Sequence, residues 1–72
     1  MERLKQLREE KGKSQFEIAT LLDISRPQYS LYETDKRKIP VYLLSQLAKY
    51  YKTSIDYIVG DTDKRRRYKW II

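Results

Sequence analysis

The chain has 72 residues, with 16 Lys and Arg against 10 Asp and Glu, a formal charge of +6, 40% hydrophobic residues and neither cysteine nor histidine. This length supports one small domain with a net stability of about 4 to 11 kcal/mol, so little apolar surface is left for a deep substrate pocket. Without thiols or imidazoles, disulfide frameworks, ordinary zinc sites and Ser/His/Asp triads are excluded, and a folded basic domain points first to nucleic acid. No metal, no cofactor and no enzymatic reaction are expected. No apolar stretch approaches the roughly 18 residues needed to cross a bilayer, and the N-terminus lacks the apolar core of a signal peptide. The expectation is a cytoplasmic protein with no membrane partner.

From about Met1 to Lys11, Leu4 and Leu7 share one side among charges, and Gly12 follows as a C-cap, which predicts a short amphipathic helix. Ser14 and Glu17 have the spacing of a capping box, and Ile18, Leu21 and Leu22 repeat at helical spacing, predicting a second helix from about Gln15 to Leu22. Ser25 and Gln28 repeat the capping-box spacing, with Pro27 in the first turn, where a missing N–H is harmless. Only Asp23 and Ile24 separate these two helices, which forces a sharp turn. Tyr29 and Tyr32 then form the inward face of a third helix ending near Thr34.

Pro40 sits where a first helical position would be, and Leu43, Leu44, Leu47, Ala48 and Tyr51 carry the stripe of a fourth helix. Ser54 caps a last short helix through Ile55, Ile58 and Val59, closed by Gly60. Residues 1–60 are therefore expected to form the domain. Residues 61–72 are a basic tail, with an unbroken run from Lys64 to Arg67 and an apolar end of Trp70, Ile71 and Ile72.

Two helices joined by a tight turn, the second opening on polar residues, have the layout in which one helix crosses the DNA backbone and the next enters the major groove. Ser14 to Glu33 fits that layout. The segments Leu7-Arg8-Glu9-Glu10-Lys11-Gly12, Ser14-Gln15, Ile24-Ser25-Arg26, Tyr29-Ser30, Tyr32-Glu33, Lys36-Arg37-Lys38-Ile39-Pro40, Leu47-Ala48 and Ser54-Ile55-Asp56-Tyr57 carry a wider pattern. In them the chain resembles, over residues 4 to 60, the Cro/repressor-type (XRE) helix-turn-helix family. The resemblance implies an all-α, five-helix lambda-repressor-like domain with helices 2 and 3 as the helix-turn-helix. It also implies a homodimer that binds operator DNA and regulates transcription, a repressor of prophage, mobile-element or bacterial genes.

By the same resemblance, Gln15 anchors against the DNA backbone or an outer base; the competing reading is a solvated turn. Arg26, Pro27, Gln28 and Leu31 lie opposite Tyr29 and Tyr32 and are expected at base edges, where Arg pairs with guanine, Gln with adenine, and Leu or Pro touches a thymine methyl. Gln28 has a rival role as the capping partner of Ser25, and Arg26 has one on phosphate. Leu31 stands where relatives commonly have a polar residue, leaving methyl readout and packing both open. Ser25 and Ser30 read as cap and phosphate contacts. Lys36, Arg37 and Lys38 occupy a loop that in the family runs along the phosphates, and Asp35 there stands where relatives often have glycine.

Arg8 and Glu33 match a structural salt bridge of the family. Tyr29, Tyr32, Tyr51 and Tyr57 are expected in the core rather than stacked on bases, with Tyr42 and Tyr50 more exposed. Asp61 and Asp63 read as solvated loop residues, not a calcium site. Phe16 and the terminal Trp70, Ile71 and Ile72 are candidate dimer or tail contacts, because the small core has no room for them. The tail either folds back or pairs with a second subunit, or else it is a basic arm along DNA. The rival from another class is a protein-interaction module of antitoxin or anti-repressor type, gripping a protein partner through Phe16, Leu31 and the apolar tail.

Overall fold

The structure is a computed structural model, and residues 1–63 are described; the tail residues Lys64 to Arg67, Trp70, Ile71 and Ile72 lie outside that part. The described chain is all-α, with five helices: α1 Glu2–Glu10, α2 Gln15–Leu21, α3 Arg26–Glu33, α4 Val41–Tyr51 and α5 Ile55–Val59. None is long and apolar enough to cross a membrane.

Local hydrogen bonding accounts for where the helices start. The Ser14 hydroxyl accepts from the Glu17 N–H and the Glu17 carboxylate accepts from the Ser14 N–H, closing the capping box that opens α2. At α3 the box is only half built. Ser25 accepts from the Gln28 N–H, but the Gln28 side chain turns along its own helix to the Tyr32 hydroxyl instead of returning to the cap. Ser54 caps α5 through the Tyr57 N–H. Pro40 is the N-cap of α4 and not its first helical residue: its ψ of 149° is extended, and its carbonyl accepts from Leu43 and Leu44.

All five helices stop in the same way. A left-handed residue follows the last turn, and its N–H and that of the next residue reach back to two carbonyls of that turn. Gly12 and Gly60 serve after α1 and α5, while Asp23, Asp35 and Lys52, with φ of 59°, 61° and 56°, serve after α2, α3 and α4. After α2, for instance, Asp23 donates to Thr20 and Ile24 to Ala19. This compact stop turns the chain straight into α3.

The core draws on every helix: Leu4 and Leu7; Ile18, Ala19 and Leu22; Tyr29 and Tyr32; Leu43, Leu44, Leu47, Ala48 and Tyr51; Tyr57 and Ile58. Leu21, expected on the apolar stripe of α2, is instead 47% exposed. At about 100° per residue it sits roughly 100° from the centre of the Ile18, Ala19 and Leu22 face, and Ala19 takes the inward place. Val59 is likewise exposed at the end of α5, and Tyr42 is exposed, while Tyr50 is half-buried against the core.

Arg3 fastens the chain beyond α5 to α1. Its guanidinium lies 4.3 Å from the Tyr57 ring centroid, donates to the carbonyls of Tyr57 and Thr62, and pairs with the Asp63 carboxylate. Asp63 is the exposed loop residue expected, and it also accepts this ion pair from Arg3.

Candidate nucleic-acid interface

Apart from Gln15, which opens α2, the expected contact residues fall on α3, its cap Ser25 and the loop after it. Arg26 and Pro27 are exposed, and Gln28 and Leu31 are half-buried at its flank. Tyr29 and Tyr32 point the other way, into the core. Ser25 is exposed at the cap. Ser30 is half-buried, and its carbonyl accepts the Thr34 hydroxyl at 2.7 Å. Leu31 is thus partly packed without being removed from solvent.

Lys36, Arg37 and Lys38 are all exposed. Their loop leaves α3 through the left-handed Asp35, and the N–H groups of both Lys36 and Arg37 donate to the Leu31 carbonyl, at 2.9 and 3.2 Å. Aspartate thus adopts the conformation for which glycine is the usual choice. The loop backbone is pinned to α3 while its three cations project outward.

Behind this surface, Glu33 ties three helices together. Arg8 on α1 meets its carboxylate in a two-pronged contact and also donates to the Lys13 carbonyl at 2.8 Å. Gln15, half-buried at the start of α2, donates to the same carboxylate at 3.3 Å. The side chains of Arg8 and Glu33 are only 12% and 3% exposed. Burial pushes the Glu33 carboxyl up, but Arg8 above all, with the neighbouring Tyr29 hydroxyl and Gln15, outweighs that and holds it below its ordinary value. The Arg8 guanidinium is held above its own ordinary value by Glu33. Burial, reinforced by the Glu33 charge, raises the Tyr29 phenol well above its normal range. Gln15 is thus committed at one end to an internal partner, a bond its polarity alone did not reveal.

A separate apolar feature lies on α2. Phe16, 64% exposed, and Leu21 border a shallow groove with Lys13, Thr20 and Tyr50. The tail residues that were expected to share this role lie outside the described residues. The sequence reading also missed the bond between Gln28 and Tyr32, although their spacing of four residues places them on neighbouring turns.

A family model described as helix-turn-helix matches residues 4–58. An uncharacterized HTH-type transcriptional regulator of Bacillus subtilis, YobD, is 37% identical over 62 residues, covering 86% of this chain and 55% of that protein. The HTH-type transcriptional regulator PrpR of Mycobacterium tuberculosis is 36% identical over 63 residues, covering 88% of this chain and 13% of that protein. The chain therefore spans about half the length of the first relative and a small part of the second. No solved structure gives a significant match.

Proposed function

The chain belongs to the helix-turn-helix family, and from that premise we propose that it is a sequence-specific double-stranded-DNA-binding transcriptional regulator. In this reading it represses prophage, mobile-element or bacterial genes as a homodimer in the cytoplasm, without cofactor or reaction. The observation that carries the reading is the pairing of an accessible α3 face, Arg26, Pro27, Gln28 and Leu31, with the exposed run Lys36, Arg37 and Lys38 in the adjoining loop. The first set offers donors, acceptors and methyl contacts for base edges, and the second offers charge for phosphates.

Gln15, Ser25 and Ser30 complete the backbone contacts in this reading, and the Arg8–Glu33 pair is structural. Residues 1–60 form the binding unit, and residues 61–72 supply dimer or tail contacts together with Phe16. Enrichment of duplexes from a random-sequence library, followed by footprinting, tests the proposal. A near-palindromic site is expected, and a dimer touching about 6 to 10 phosphates loses roughly 10³ to 10⁵ in affinity between 50 and 200 mM salt. Absence of any preferred duplex at low salt overturns it.

A second reading, a protein-interaction module of antitoxin or anti-repressor type, is favoured by the exposed Phe16 and Leu21 on α2. It would be supported by a chain that selects no duplex yet loses a protein partner when Phe16 is replaced by Ser.

A further inference from the structure

Gln28 is the one half-buried polar side chain of the proposed base-reading set, and its Nε2 donates to the Tyr32 hydroxyl at 3.0 Å. Tyr32 is anchored differently: its ring lies in the core at 3% exposure. A flexible amide on the surface of α3 is thus tied to a fixed phenol. A free glutamine has several rotamers and two amide orientations, and it must surrender that freedom on contact with a base.

We propose that Tyr32 is a positioning residue for base readout, holding the Gln28 amide in the orientation that reads adenine. This rests on the reading of α3 as the groove-entering helix. Adenine presents an acceptor at N7 and a donor at N6 in the major groove, and glutamine meets them with one N–H and its carbonyl oxygen. A carboxamide has two N–H groups. The bidentate contact uses the one beside the carbonyl oxygen, and we assign the Tyr32 bond to the other. The phenol therefore fixes which edge faces outward without consuming that edge. It also explains why Gln28 does not complete the capping box with Ser25: its side chain is engaged elsewhere.

The test uses the full chain, a duplex obtained by library selection, and single-base-pair variants of that duplex. Q28A should abolish preference at one A·T pair, where a bidentate contact gives about 5- to 150-fold discrimination. Y32F should reduce discrimination at that same pair by about 2- to 10-fold, the worth of one neutral hydrogen bond. Its affinity for random DNA should be unchanged, and Q28A/Y32F should be no worse than Q28A.

Full discrimination by Y32F, or equal weakening on random DNA, overturns the positioning role while leaving the DNA-binding reading intact. If Q28A changes preference at no position, the base contact of Gln28 and this proposal fall together. If Y32F does not fold, NMR of the wild-type side-chain amide decides: a rigid Gln28 amide in the free protein is expected, and one as mobile as exposed glutamines overturns the proposal.

Discussion

Arg8 meets Glu33 as a fork on a carboxylate, Nε on Oε2 and Nη2 on Oε1, both at 2.9 Å. Such a contact fixes angle as well as distance, so α1 and α3 are locked in orientation at one end. With both side chains nearly sealed from water, removing either partner strands a charge. We expect R8A or E33A to lose about 3 to 5 kcal/mol, much of the stability of a domain this small. Urea unfolding measures it; a loss below about 1 kcal/mol would place the pair among ordinary surface bridges.

The same carboxylate sets an acid limit. The Glu33 value in the folded chain lies below its ordinary value of 4.5, so the folded state binds the proton less readily than the unfolded one. The stabilisation is fully present above about pH 4.5 and disappears as pH falls through the lower folded value. Unfolding midpoints between pH 7 and pH 2 should therefore drop steeply in acid, and E33Q should start lower and fall less. Parallel curves for the two proteins would disprove the assignment.

Tyr51 invites the opposite substitution. Its hydroxyl is buried with no hydrogen-bond partner among the described residues, and burial raises its ionisation far above the ordinary phenol range. Tyr51→Phe keeps the ring and discards the unsatisfied oxygen, so the melting temperature should hold or rise, by up to about 1 to 2 kcal/mol in stability. A clear loss would mean that the oxygen has a partner.

Lys52 holds a left-handed conformation at the end of α4, where a Cβ is costly. K52G should stabilise by about 0.5 to 1 kcal/mol after its extra unfolded-state freedom is counted, and K52V should destabilise. Thermal unfolding of the pair separates backbone relief from loss of the lysine charge, since both variants lose that charge equally.

Lys36 and Arg37 are tested by salt. Replacing either with Ala should weaken selected and random duplexes alike and flatten the slope of log affinity against log salt by about one unit per phosphate lost. An unaltered slope would remove the loop from the interface.

Much of this architecture was legible in the residues. Ser14, Ser25 and Ser54 announce helix starts by a side-chain bond three residues long, and the stripes of α1, α3 and α4 leave one inward side each. What escaped notice has a common cause. Gly12 and Gly60 advertise their left-handed turns by composition, and Asp35 stands where relatives often have glycine, but Asp23 and Lys52 make the same turn unannounced, with nothing local to mark lysine for it. Leu21 misled because a seven-residue helix with four apolar candidates does not fix the centre of its stripe. At the candidate interface, residue type pointed to Gln15 and Gln28 as outward groups, whereas their internal bonds to Glu33 and Tyr32 depend on where neighbouring side chains lie.

The Leu31 carbonyl, by accepting both the Lys36 and Arg37 amides, leaves those two positions no main-chain donor to offer an incoming anion. Whatever docks there meets ammonium and guanidinium groups on long, pliable tethers, not a rigid amide clasp. Such a grip tolerates small sliding along a charged ridge, so fine register has to be fixed by the stiffer face of the neighbouring helix.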